Sequence, residues 1–192
     1  MTPSKAAPTA LALALAVSAC SGAPQRESFD LSSALGESAA ARPLRRTLAV
    51  AEPHAIQPID SDRIVIRTGP NGLANLAEAQ WVDRLPRLVQ ARLIAAFDRG
   101  RKTGSVARPG QAAERILSTD IRRFEIDVSS GEAVVEIAAE ILDARGVATG
   151  PGRIFSAQAP AEHSTGPAAV HALDEALASV LRQIVRWAAS QG

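Results

Sequence analysis

The chain has 192 residues, with 21 basic and 20 acidic side chains and a formal net charge of +1. A balance this even offers no electrostatic footprint for nucleic acid, and a single cysteine excludes an internal disulfide framework or a cysteine cluster for zinc. With no tyrosine, two tryptophans and four phenylalanines, the chain also lacks the aromatic density of a stacking surface for sugars or single strands.

The first twenty residues read as an export signal. Lys5 is the only charge before Cys20, and from Ala6 the chain is almost wholly apolar, with Leu and Ala alternating over residues 10–17. A basic start, a short apolar stretch and small residues at the cut describe a secretory signal. A membrane-spanning helix needs about 20 apolar residues, more than this stretch supplies. The cut site Val17-Ser18-Ala19-Cys20 resembles the bacterial lipobox. That resemblance implies diacylglycerol on the Cys20 sulfur, cleavage just before it and acylation of the new amino terminus. A plain signal peptide cleaved after Ala19 is the alternative. The expected organisation is a signal peptide over 1–19, a lipidated N-terminus and tether over 20–46, and one domain over 47–192, long enough for a real core.

Residues 21–46 are rich in Ser, Ala, Gly and Arg and read as tether, broken by Phe29-Asp30-Leu31, which suits a short strand. Leu48 and Val50 alternate with smaller residues, and Arg63-Ile64-Val65-Ile66-Arg67 is an apolar run closed by Gly69-Pro70. Both read as strands, with Pro53 and Pro58 marking an edge or loop between them. Residues 84–99 predict the first helix. Leu85, Leu88, Val89, Leu93, Ala96 and Phe97 repeat at helical spacing with Arg and Asp opposite. Asp83 is the expected N-cap, Pro86 falls in the first turn and Gly100 is the stop. A helix beginning near Ala77 and kinked at Pro86 is the rival.

After a turn at Arg108-Pro109-Gly110, residues 114–128 and 133–143 read as two long antiparallel strands. Ser129-Ser130-Gly131 joins them, with glycine supplying a positive φ. Val135, Ile137, Ala139 and Ile141 share one face, and Glu136 and Glu140 the other. In the preceding strand Phe124, Ile126 and Val128 share a face while Ile121 has the opposite parity, which a bulge near Arg122-Arg123 reconciles. A turn at Ala144-Arg145-Gly146 leads to a third strand over 153–159. Thr165-Gly166-Pro167 then opens a last helix whose Val170, Leu173, Leu177, Val180, Leu181, Ile184 and Ala188 draw one apolar stripe. The fold class is α+β: an antiparallel sheet with a β-meander and two helices packed on it.

Motifs for chemistry are missing. Gly100-Arg101-Lys102-Thr103-Gly104 is no phosphate loop, because Arg101 stands where glycine must precede the lysine and Ala96 where the earlier glycine belongs. No glycine-rich dinucleotide motif and no Gly-x-Ser-x-Gly turn occurs. His54, His163 and His171 lack ligand spacing and read as surface residues. Asp120, Glu125 and Asp127 on one strand could serve as general acid and base, but Arg122-Arg123 beside them supplies counter-charge, which favours a solvated strand face. Glu125 and Asp127 point one way and Asp120 the other, unless the bulge intervenes. No catalytic residue, cofactor site or metal site is expected.

The stretch Trp81-Val82-Asp83-Arg84-Leu85-Pro86-Arg87-Leu88-Val89-Gln90 resembles a signature of the ABC-type transport auxiliary lipoproteins, the PqiC-like family. Phe29-Asp30-Leu31, Ile64-Val65-Ile66-Arg67, Arg108-Pro109-Gly110, Asp120-Ile121-Arg122-Arg123-Phe124-Glu125-Ile126, Ala172-Leu173-Asp174 and Ile184-Val185-Arg186-Trp187 agree in order, so the resemblance runs from about residue 29 to 187. The family often has tyrosine where this chain has Ile66. The resemblance implies a non-enzymatic accessory to a lipid-trafficking system that pairs an inner-membrane ABC transporter with an MCE-domain protein. The chain would be lipid-anchored at the periplasmic face of the outer membrane, since Ser21 rather than aspartate follows Cys20, and would dock or receive that machinery. Self-association stays open, and no nucleic-acid partner is implied.

Two other classes remain: a lipid-binding shuttle or chaperone with its own apolar pocket, and a periplasmic hydrolase. A pocket for an acyl chain would mark the first and a close buried carboxylate pair near a cleft the second, whereas a docking protein shows an exposed apolar patch. Trp81 and Trp187 stand near the start of one helix and the end of the other, so antiparallel helices would bring them together. Either both rings seal the end of the core, or Trp81 with Asp83 and Arg84 faces a neighbouring subunit or the transporter.

Overall fold

The computed structural model describes residues 26–31, 46–98, 106–107, 111–161 and 165–191. Cys20 and the signal segment, most of the tether, Gly100 and the turn at Arg108-Pro109-Gly110 lie outside the described residues. In chain order the elements are β1 (Glu27–Phe29), β2 (Leu48–Val50), β3 (Arg63–Arg67), β4 (Leu73–Trp81), α1 (Leu85–Asp98), β5 (Val106–Ala107), β6 (Arg115–Asp127), β7 (Glu132–Asp143), β8 (Arg153–Pro160) and α2 (Gly166–Ser190).

Strand β6 is the spine of one sheet. On one side it pairs antiparallel with β7, and β8 continues that meander. On its other side two short strands lie in tandem, both parallel to it: β2 beside Arg115 to Leu117 and β3 beside Glu125 to Asp127, with a single bridge from His54 to Asp120 between them. Outside β3 runs β4, antiparallel, and outside β4 runs β1, parallel; β5 lies parallel outside β2. The class is α+β, as expected, but the sheet is mixed rather than antiparallel throughout. Hairpin turns dictate antiparallel neighbours. The parallel pairings are set by where a long connection returns, and no local pattern records that.

The bulge falls where parity demands it. Ile121 lies opposite Ile137 and Arg123 opposite Glu136, so Arg122 is the extra residue. Leu117 and Ile121 before it and Phe124 and Ile126 after it are therefore all buried. The β6–β7 connection spans 128–131, one residue longer than the sequence suggests, and closes on Gly131 at φ +69°. Strand β4 occupies the region where a helix from Ala77 was the rival. Most of it is exposed, so no alternation announces it; pairing to β3 on one side and β1 on the other holds it extended. The helix begins at Leu85, with Pro86 in its first turn. The Asp83 carboxylate accepts the adjacent Arg84 N–H at 2.7 Å rather than an N–H deeper in the helix.

Both helices cover one sheet face. Helix α2 lies mainly over β7 and β8, and α1 lies by β2 and β5 and against α2. Leu85, Val89, Leu93 and Phe97 of α1 and Leu173, Leu177, Val180, Leu181 and Ile184 of α2 meet Leu117, Ile121, Phe124, Ile126, Val135 and Ile137 of the sheet. Burying such side chains is worth about 1.5–3 kcal/mol each. Arg92, which helical spacing puts on the apolar stripe between Val89 and Ala96, is buried; its guanidinium donates to Asp174 of α2 at 2.8 Å, with both side chains under 8% exposed. The start of α2, not its end, lies beside the end of β4. A Cβ on Gly166 would come within 3.1 Å of the Ala79 methyl and 3.3 Å of the Phe29 ring, so the close approach favours glycine. The two tryptophans are thus separated: Trp81 meets Phe124, ring centroids 6.0 Å apart, and Trp187 meets Phe155 at 5.5 Å.

Candidate functional site

The signature segment forms the corner where β4 turns into α1, and nearly every residue in it ties that corner to another part of the chain. Trp81 is 1% exposed and packs edge-on against Phe124. Its backbone N–H donates to the Asp62 carbonyl at 2.7 Å, and the next N–H, of Val82, donates to the Phe29 carbonyl at 2.9 Å. Leu85 N–H donates to the Ser61 carbonyl at 3.0 Å. Further along, the Gln90 amide donates to the Val50 carbonyl at 3.0 Å. One ten-residue stretch therefore fastens β1, the loop before β3, and β2 to the first helix.

Arg84 clamps the same loop from outside. Its Nε donates to Asp60 at 3.1 Å, a second guanidinium nitrogen also donates to Asp60, and a third lies 3.2 Å from Glu52. The hydrogen bond with Asp60 comes first among the causes that raise its pKa, ahead of the charges of Asp60, Glu52 and Asp83. Asp83 holds Arg87 one turn on, at 3.6 Å. Asp83, Arg84 and Arg87 are exposed, as are Val82 and, on the clamped loop, Ile56. Of the three residues read from sequence as interface candidates, Asp83 and Arg84 present their side chains to solvent. The Trp81 ring is enclosed by its own chain.

The carboxylates of β6 lie on the open sheet face, away from the helices. Because the bulge intervenes, Asp120 shares that face with Glu125 and Asp127. The face is not simply solvated at Glu125, which is 2% exposed. Arg67 holds it with two hydrogen bonds, at 2.7 and 3.1 Å, and Arg123 donates to the same carboxylate at 2.7 Å. The bond to Glu125 raises the Arg67 pKa, outweighing the desolvation that lowers it. Asp127 accepts both the hydroxyl and the N–H of Ser129, and the hydroxyl bond is the leading reason its pKa is lowered. Both oxygens of the Glu125 carboxylate are thus taken up by guanidiniums of its own chain. Asp120 lies at the surface with His54 at 3.3 Å and Arg122 at 3.7 Å.

Sequence reading missed the buried Arg92–Asp174 pair and the enclosure of Glu125. Two charges on apolar stripes were the available signal for the first: Arg92 between Val89 and Ala96, and Asp174 between Leu173 and Leu177.

Fold and corner together define an α+β domain: one mixed sheet, two helices on one face, and a tied strand-to-helix corner. The chain belongs to the family of the ABC-type transport auxiliary lipoprotein component, whose profile matches residues 29–185. Membership implies a membrane-associated, periplasm-facing component of a transport system. The crystal structure of protein XCC0632 from Xanthomonas campestris is similar at TM-score 0.69 and 27% identity, over 79% of this chain and 92% of that one. The crystal structure of an uncharacterized protein matches at TM-score 0.66 and 14% identity, over 85% of this chain and 98% of that one, and shares the fold. In sequence the chain is 34% identical over 173 residues to the uncharacterized protein bll6063 of Bradyrhizobium diazoefficiens. The match covers 86% of this chain and 46% of that protein, so the chain spans about half the length of the curated relative it matches.

Proposed function

We propose that the chain is a non-enzymatic, lipid-anchored accessory of an ABC/MCE-type lipid transport system, held through acylated Cys20 at the periplasmic face of the outer membrane, where it docks or receives the transport machinery. The observation that carries this is the family match across residues 29–185. Two features of the structure support docking over the shuttle and hydrolase readings. A cleft of about 460 Å³ on the open sheet face is lined by Asp120, Arg122, Glu140 and Arg153 among others, and a second of about 300 Å³ lies beside the end of α2. Their charged lining suits polar contacts, not an acyl chain. The one buried carboxylate of β6 is neutralised by arginines rather than paired with a second carboxylate. In this reading the exposed ridge of Val82, Asp83 and Arg84 is a contact for the machinery or a neighbouring subunit, with buried Trp81 as its prop.

Affinity capture of the intact lipoprotein from membranes tests the proposal. ABC and MCE-domain subunits are expected to accompany the wild-type protein and to be lost with Val82→Glu, a change at an exposed ridge position outside the Arg84 clamp, at unchanged melting temperature. Capture of neither subunit by wild-type protein would overturn the docking role. Mass spectrometry of the native amino terminus is expected to find Cys20 acylated, and Cys20→Ala to leave an uncleaved or soluble form, because stable anchoring takes more than one acyl chain. A free thiol there would refute the anchor.

A further inference from the structure

Strand β8 is an edge. Its pairing partner is β7, and among the described residues no strand lies beyond it. Backbone groups of an antiparallel strand alternate, one residue bonding inward and the next outward. Ala161 N–H bonds to Gly131 on the β7 side at 2.8 Å, so the odd-numbered residues of β8 face β7. The outward set is Ile154, Ser156 and Gln158, ending in Pro160, which has no N–H to leave unpaired. All four are exposed. The protein covers one position itself: the Gln183 side-chain amide donates to the Ser156 carbonyl at 3.3 Å. It occupies the place that a backbone N–H of an added strand would take.

Beside this edge, β8 and the last turns of α2 enclose the cleft of about 300 Å³, lined by Arg153, Phe155, Gln183, Arg186, Trp187 and Ser190. Phe155 and Trp187 form its aromatic wall. The Arg153 guanidinium lies 5.4 Å from the Phe155 ring centroid, a cation–π contact that holds it at the cleft. Among the described residues neither Arg153 nor Arg186 has a carboxylate within ion-pair distance, unlike Arg67, Arg122 and Arg123 of β3 and β6. Two guanidiniums beside an aromatic wall, without counter-charge, match a carboxylate.

We propose that the groove between β8 and α2 is a strand-addition site. It takes an extended segment of a partner polypeptide that pairs with Ile154, Ser156 and Gln158 and places an acidic group against Arg153 and Arg186. Edge-strand pairing supplies affinity through main-chain hydrogen bonds, and the flanking cleft supplies selectivity. The inference rests on the docking reading and specifies which surface and which partner chemistry it uses; the ridge at Arg84 is a separate contact.

Site-specific photocrosslinking of the intact lipoprotein in its membrane tests it, with benzoylphenylalanine in place of Gln158 and the crosslinked segment mapped by mass spectrometry. The expected product joins β8 to an extended segment of a transport subunit that contains Asp or Glu. Ser156→Pro removes an outward N–H and leaves the β7 ladder intact. This variant and the double variant Arg153→Glu, Arg186→Glu are each expected to lose the crosslink at unchanged melting temperature. The proposal is overturned if the crosslink survives both variants, if it maps to a helical segment, or if it joins a second copy of this chain. Copurification of transport subunits without a crosslink at position 158 would overturn strand addition and leave the docking role standing. If no subunit copurifies with the wild-type protein, both fail.

Discussion

Replacing Trp81 by alanine separates the structural part of the signature from its contact part. The indole is 1% exposed and rests edge-on against Phe124, interplanar angle 79°. Truncating a buried large aromatic costs about 3–5 kcal/mol, and the lost ring pair belongs to the upper part of that range, since such pairs add about 0.5–1.5 kcal/mol. In a chain of this size each kcal/mol moves the midpoint by roughly 2–4 °C. The Trp81→Ala protein is therefore expected to melt about 6–20 °C below wild type. The indole N–H is buried without a hydrogen-bond partner among the described residues, so Trp81→Phe forfeits none of these bonds and keeps a ring against Phe124; it is expected to lose much less. The assay is thermal unfolding followed by circular dichroism, with partner capture measured well below the midpoint of each variant. At that temperature the Trp81→Ala protein is expected to retain capture, because Val82, Asp83 and Arg84 still form the exposed ridge. A midpoint within about 2 °C of wild type would refute the burial argument. Lost capture by a fully folded Trp81→Ala protein would show that the indole itself contributes to the contact.

Removing one member of the buried pair, by Arg92→Met or Asp174→Leu, is expected to cost about 3–5 kcal/mol, whereas the double substitution is expected to recover most of it; a double variant no better than the singles in chemical denaturation would contradict this. Glu125→Ala leaves Arg67 and Arg123 facing each other, and is expected to cost nearer 3 than 5 kcal/mol because both guanidiniums reach solvent; a loss within about 1 kcal/mol would mean the carboxylate behaves as a solvated surface charge. The depressed pKa of Asp127 stabilises the fold above the ordinary aspartate range and is lost as pH falls through the lower, folded value. Ser129→Ala is expected to move its titration back up, visible in carboxyl NMR, and an unmoved titration would exclude the hydroxyl as the leading cause.

Sequence alone determined the features that repeat locally. The core faces of α1 and α2 follow helical spacing, the β6–β7–β8 meander follows alternation and turn chemistry, and the bulge at Arg122 was demanded by the opposed parities of Ile121 and Phe124. The signature from Trp81 to Gln90 pointed to the family before any fold was known. What it held in place was not legible, because its partners Phe29, Val50, Asp60 and Ser61 are distant in the chain. Strand β4 left no mark, since an exposed strand has no apolar alternation and exists through its neighbours on both sides. The parallel placement of β2 and β3 along β6 depends on long connections, so it belongs to the whole chain and to no window of it. The same holds for charge. Glu125 sits where the alternation of its strand assigns solvent, and Arg92 sits on the apolar stripe of α1, where no local partner for its charge is visible. Only the packing of α2 against α1, and of β3 beside β6, brings Asp174 and Arg67 close enough to make their burial affordable, because a buried charge is tolerated where an opposite charge and hydrogen bonds replace the water it loses.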